Sequence, residues 1–204
     1  MSNVQPLKVH LGAFDKSVDG WINTDITPHL FIGRIPLLAQ LMDMAGLMPP
    51  ERLEQHRSGV FSKLRYMDLT KPLPFSDNSV EAFFSSHVLE HLFLNEVESL
   101  LHQMYRCLVP GGVVRVSVPD LDKIVATYRR DDPSEFLMRI FEAPHRGSVK
   151  NAHHCGFSAP FLLELFRKAG FSRAEETMFL QGACPDIALL DNRPDESLFC
   201  EAFK

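Results

Sequence analysis

Val80-Glu81-Ala82-Phe83-Phe84-Ser85-Ser86-His87-Val88 decides the architecture of this chain. It is almost wholly apolar until Ser85, the pattern of a strand buried on both faces of a parallel sheet. Downstream, Leu94, Val97, Leu100, Leu101, Tyr105 and Leu108 form one apolar stripe at helical spacing. Asn95 is placed to cap that helix, and Glu98 three residues later completes a capping-box pattern. Pro110-Gly111-Gly112 ends the helix, and Val113–Val118 reads as the next strand. Strand, helix and strand in this order predict an α/β domain with a mainly parallel sheet.

Upstream, Lys8–Gly12 and Trp21–Ile26 read as the first two strands. Only about eight residues separate them, where a parallel crossover takes a dozen or more, so either the link is tight or one strand is misplaced. Leu30–Leu47 reads as a helix that Pro36 bends or starts, and Met48-Pro49-Pro50 stops it. Residues 51–63 read as a helical or irregular surface segment, and Leu64–Leu69 as the third strand. Pro72, Pro74, Asp77 and Asn78 make the turn into the fourth. Two further helices open at Asp132-Pro133-Ser134-Glu135 and at Ser158, the latter closed by Gly170. Ala174–Leu180 and Ser197–Phe203 are the last strands, with a hairpin-type loop over Gly182–Glu196.

At 204 residues, a single domain spanning 1–204 is expected. Twenty-one Lys and Arg against 26 Asp and Glu give a net charge of -5, which argues against a nucleic-acid partner. Cys107, Cys155, Cys184 and Cys200 form no close pair and read as reduced thiols. No apolar run approaches the roughly 18 residues a membrane span needs. Met1–Pro6 contain no secretory start, so a cytoplasmic location away from membranes is the expectation.

Ligands of open α/β sheets bind past the carboxyl ends of the strands. Those ends here are Gly12, Asp25, Asp68, Ser85-Ser86-His87 and Pro119-Asp120. The segments Lys8–Gly12 and Gly20-Trp21-Ile22-Asn23-Thr24-Asp25-Ile26 resemble the opening of class I S-adenosylmethionine-dependent methyltransferases of the small type-11-like branch. Asp68-Leu69 with Leu73–Ala82, Ser85–Leu92, Met104–Gly112, Ala169-Gly170-Phe171 and Glu196–Phe199 are similar to later parts of that family. The resemblance implies a Rossmann-like fold: a seven-stranded, mainly parallel sheet, its last strand antiparallel, with helices on both faces. It also implies S-adenosyl-L-methionine as cofactor. Gly12, with Ala13 and Phe14, would approach the methionine part of the cofactor. Asp25, followed by Ile26, would take the ribose hydroxyls, and Asp68-Leu69 would face the adenine. Ser85 and His87 would lie near the sulfonium.

One position departs from the family. Its Gly-x-Gly is Gly12-Ala13-Phe14 here, and the Phe14 ring either obstructs the pocket or turns away. Candidate bases for a hydroxyl acceptor are His87, His153 and His154, with Asp120 as a carboxylate alternative. His91 reads as a structural group bonded to backbone. His153-His154-Cys155 reads either as a loop over the pocket or as a surface loop with Cys155 buried. Adjacent histidines rarely converge on one ion, and no second pair has zinc-type spacing, so no metal is expected. Phe31, Met42 and Met44 are open between core and substrate lid, and an apolar surface along Leu30–Leu47 would suit a homodimer as readily as a monomer. The expected activity is methyl transfer to a small-molecule or sugar-like acceptor by in-line displacement. The rival is a catalytically silent relative that binds or assembles. A nucleotide-binding oxidoreductase lacks its G-x-G-x-x-G motif here.

Overall fold

The computed structural model describes residues 7–35, 37–142 and 152–204; Met1–Pro6 and Pro36, read above, lie outside them. Strands β1 (Leu7–Leu11), β2 (Ile22–Asp25), β3 (Arg65–Tyr66), β4 (Val80–Ser86), β5 (Leu108–Pro119), β6 (Arg173–Thr177) and β7 (Ser197–Phe203) form one sheet. Their order is β3-β2-β1-β4-β5-β7-β6. The pairings among β1 to β5 are parallel, and β7 runs antiparallel to both β5 and β6. The helices are α1 (His29–Ile32), α2 (Leu38–Met44), α3 (Pro50–Arg57), α4 (Leu94–Cys107), α5 (Leu121–Ala126), α6 (Ser134–Phe141), α7 (Ala159–Lys168) and α8 (Ile187–Leu190).

The pleat of β4 explains its apolar run. Phe83 joins Val97, Leu100 and Leu101 of α4 and Leu162, Leu165 and Phe166 of α7 in the main core. Its neighbours Ala82 and Phe84 point the other way, into a smaller cluster with Trp21, Val113, Cys184 and Leu190. One face is thus covered by α4 and α7, the other by α8 and the link between β1 and β2.

That link is the tight alternative. β1 and β2 pair in parallel, Val9 opposite Ile22 and Leu11 opposite Thr24, with no helix in residues 12–21. The buried Asn23 side chain does the work of the missing helix. It accepts the Val18 N–H at 2.9 Å and donates to the carbonyls of Val18 and Trp21 at 2.9 and 3.1 Å. The Ala13 N–H meets the Thr24 carbonyl at 2.8 Å. The link's buried polar groups are therefore satisfied without helical bonds.

Several element boundaries differ from the sequence reading. The expected helix over Leu30–Leu47 is two short ones, α1 and α2, and Leu37 before α2 takes a left-handed φ of 64°. Phe31 and Met44 are exposed, while Met42 packs on the Ala39, Met48 and Leu53 cluster. The expected Leu64–Leu69 strand pairs only at Arg65–Tyr66. α4 begins at Leu94, not after Asn95: Glu96 reaches back to accept the Phe93 N–H at 2.9 Å, a cap supplied two residues earlier. α4 already ends at Cys107, so Pro110-Gly111-Gly112 does not end the helix; it lies inside β5 as a bulge, since Val80 opposes Leu108 while Ala82 opposes Val113. The Gly182–Glu196 loop contains α8.

His10, on β1, is buried at 2 % exposure with Nδ1 unpartnered among the described residues. Burial pushes its imidazole down to about 4, against the upward pull of Asn23. A folded value below the unfolded one means that the unfolded chain binds the extra proton first. Stability from this group is therefore present above the ordinary histidine range and lost as pH falls toward 4. The expected loss is about 2–3 kcal/mol. Urea unfolding at pH 7 and pH 4.5 measures it, and His10→Gln should remove that part of the difference.

Candidate active site

The switch between β1 and β4, where the chain departs in opposite directions, opens a cleft of about 1070 Å³ at the carboxyl ends of the strands. Ligand cavities commonly measure some 300–1,000 Å³, so this one is ample for a nucleoside with a second substrate. Gly12, Ala13, Phe14, Asp25, Ile26, Asp68, Leu69 and His87 all line it.

Gly12 has a φ of 67°, and a Cβ built there would collide with Val88 Cγ2. The glycine is therefore demanded by its turn and by Val88, a reason the sequence did not disclose. Gly12→Ala is expected to cost about 1–3 kcal/mol, from overpacking and a left-handed backbone. Urea unfolding should show part of that loss recovered by adding Val88→Ala, which removes the obstructing methyl.

Phe14 resolves to the turned alternative. Its φ of 40° aims its N–H at Asp25 Oδ2, 3.0 Å away. Its ring leans edge-on against Phe61 and His29, at 5.8 and 6.4 Å between centroids, under the Arg52 guanidinium at 4.6 Å. The ring forms one wall of the cleft and leaves the hollow open. Asp25 Oδ1 accepts the Thr27 N–H at 2.7 Å, so each oxygen keeps a lone pair for a ligand. Burial raises the Asp25 carboxyl, against the pull of the Thr27 and Phe14 amides. Asp68 is set the other way. The Thr70 hydroxyl and N–H, at 2.7 and 2.9 Å, hold it below the usual carboxylate range.

His87 adopts a φ of 52° just beyond β4. Its Nε2 lies 2.7 Å from Ser197 Oγ and its Nδ1 3.2 Å from Glu90 Oε1. His153 also lines the cleft, half-buried; burial lowers its imidazole, against the pull of Glu90. The other candidates lie elsewhere. Ser85 is fully buried in the sheet, and its neighbour Ser86 reaches the cleft instead, bonded to Ser117 and Asn192 at 2.8 and 3.1 Å. A strand buried on both faces gives no alternation by which to choose between them. Asp120 caps α5, accepting the Asp122 and Lys123 amides. His154 is exposed and stacks on Phe93 at 4.3 Å, and Cys155 is half-buried. Lys16, Arg52, Glu90, His91 and Asn192 line the cleft and were not among the expected site residues. Among the described residues no helix is long and apolar enough to cross a membrane.

A family model described as a methyltransferase domain matches residues 44–116. Among solved structures, an S-adenosylmethionine-dependent methyltransferase from Mesorhizobium loti is 17% identical. The match covers 98% of this chain and 91% of that one, with a TM-score of 0.51. A "possible exported protein" from Bordetella parapertussis is 13% identical over 98% of this chain and 62% of its own, with a TM-score of 0.54. PigF with SAH is 16% identical over 98% of this chain and 50% of its own, with a TM-score of 0.50. At such identities the likeness is one of fold. Among curated proteins, none matches the sequence. The strand order, the reversed β7 and the match over residues 44–116 together give this chain the fold of the class I S-adenosylmethionine-dependent methyltransferases, with a methyltransferase-domain signature at its centre.

Proposed function

We propose that the chain transfers a methyl group from S-adenosyl-L-methionine to a small-molecule or sugar-like acceptor. The observation that carries this reading is Asp25: a carboxylate at the end of β2, fixed by two backbone amides, with lone pairs facing a cleft that Phe14 leaves open. When bound, S-adenosylmethionine supplies an electrophilic methyl on a sulfonium sulfur. Asp25 would hold the ribose hydroxyls, and Asp68 and Leu69 would border the adenine. No helix N-terminus follows β1 to receive a carboxylate, so Lys16 and Arg52 are assigned that charge. His87, with Ser86 beside it, would lie toward the acceptor. An acceptor held in the cleft would present its lone pair to that methyl group. A hydroxyl acceptor gives its proton to a cleft-facing imidazole, His87 or His153. The net charge of -5 favours a small acceptor over nucleic acid. Four free thiols accord with a reducing, cytoplasmic compartment.

The rival, a silent binding protein, draws on Phe14 in a glycine's place and on the missing helix. Calorimetric titration with S-adenosylhomocysteine separates the two. One site per chain at micromolar affinity is expected, and no heat at millimolar ligand would select the silent protein.

A further inference from the structure

We propose that Glu90, His91 and His153 bind a divalent first-row transition cation of the zinc, manganese or iron(II) kind at the acceptor end of the cleft. One ligand atom from each lies within 4.8 Å of the others. Glu90 is 1 % exposed, and neither carboxylate oxygen has a hydrogen-bond partner among the described residues. His87 Nδ1 is near Oε1 without making a hydrogen bond to it, and a buried carboxylate so poorly paired is costly; a cation is the partner that the surrounding imidazoles can share. The His87 Nδ1 stands 3.2 Å from Glu90 Oε1, close enough to orient that carboxylate.

The fold delivers the third ligand by backbone bonds. Glu90 and His91 lie in a 3-10 turn, Leu89–His91, directly after β4. The Glu90 carbonyl accepts the His154 and Cys155 amides at 2.7 and 3.2 Å, and the Phe141 carbonyl accepts the His153 amide at 3.0 Å. These bonds set the His153 ring against that of His91, 5.1 Å between centroids. The His91 Nδ1 sits 3.3 Å from the Ala152 carbonyl. That contact makes Nδ1 the protonated nitrogen and leaves Nε2 with the lone pair a metal takes. Adjacent Glu90 and His91 fit no standard spacing, and the third ligand arrives from a distant loop. The sequence therefore pointed away from a metal.

One carboxylate oxygen and two imidazoles suit borderline first-row cations better than magnesium or calcium, and three protein ligands leave positions open. All three residues line the cleft, so the open positions face the acceptor. The use of the site rests on the methyl-transfer reading; its existence does not. With the cation bound, His153 is a ligand and no longer the base: an acceptor hydroxyl coordinated there would lose its proton to cleft water, because coordination lowers its pKa. The resulting alkoxide would be the nucleophile toward the sulfonium methyl.

The test uses the full chain, stripped with EDTA and freed of chelator, titrated with Co²⁺ and then with Zn²⁺. One Co²⁺ per chain with visible d–d absorption, displaced by Zn²⁺, is expected. His91→Ala and His153→Ala should each weaken uptake by more than about tenfold, a loss that even outer contacts to a metal site can produce. His102→Ala, on the exposed side of α4, should leave it unchanged. Should His91→Ala fail to fold, His153→Ala on its loop still decides. No stoichiometric uptake by the wild type, or undiminished uptake in His153→Ala, overturns the proposal. The titration contains no cofactor, so failure to bind S-adenosylhomocysteine and failure to bind Co²⁺ are separate results.

Discussion

Arg115→Met should destabilise the protein by about 3–5 kcal/mol, because it strands buried carboxylates without their cation. Arg115 is fully buried in β5. Its guanidinium grips Asp191 through two bonds, 2.7 and 2.6 Å, and Glu201 through one at 3.0 Å. It also donates to Thr177 Oγ1 and to the carbonyls of Met178 and Gln181, each at 3.0 Å. The carboxylates in turn accept backbone amides: Asp191 that of Leu180, Glu201 those of Ala183 and Cys184. The cluster therefore fastens the segment between β6 and α8 to the sheet. Gly182 belongs to it, since a Cβ there would collide with Glu201. An apolar replacement of all three charged residues is often neutral for an isolated buried pair. Here it should not recover stability, because it orphans the backbone groups the cluster serves. Urea unfolding of Arg115→Met and of the triple variant Arg115→Met, Asp191→Leu, Glu201→Leu checks both statements. A triple variant as stable as wild type would show that those backbone groups find other partners.

The centre of the fold was legible because its signals are local. β4, α4 and β5 each carry their own periodicity, and Pro110-Gly111-Gly112 marks the junction whether or not the strand has already begun. What failed was chiefly non-local. The β1–β2 link closes through Asn23, a single polar side chain that reads as an ordinary strand residue. The Leu30–Leu47 pattern is apolar enough for one helix, yet Leu37 takes a left-handed φ and divides it. In the cleft, Gly12, Asp25 and Asp68 sit where strand ends predict, because strand ends are a property of the sheet. The choice of Ser86 over Ser85 and of His153 over His154 depends on side-chain direction within a fully buried strand or an irregular loop. Glu90 was invisible as a site residue for a different reason. An acidic residue in a turn normally faces water, and only the packing of β4 and the 154–155 backbone around it buries this one.

Asp25→Ala should lower affinity for S-adenosylhomocysteine by roughly two to four powers of ten, since hydrogen bonds to a charged group contribute about 1.5–3 kcal/mol each and a ribose offers two hydroxyls. Two effects combine. The variant loses the acceptor lone pairs, and it frees the Phe14 and Thr27 amides that hold the cleft wall in place. Asp25→Asn separates them. Its remaining oxygen can keep one amide in place while the charge is gone, so it should retain part of the affinity that Ala loses. Urea midpoints near wild type for both would assign the change to the site and not to the fold. The carboxyl also gives the effect a pH signature. Burial raises its proton affinity, and a protonated carboxyl accepts ribose hydroxyls poorly. Binding should therefore weaken as pH falls through a range above that of ordinary aspartates, and the variants should lack that acid limb. An Asp25→Ala protein that binds S-adenosylhomocysteine within a few-fold of wild type would remove the anchor on which the cofactor assignment stands.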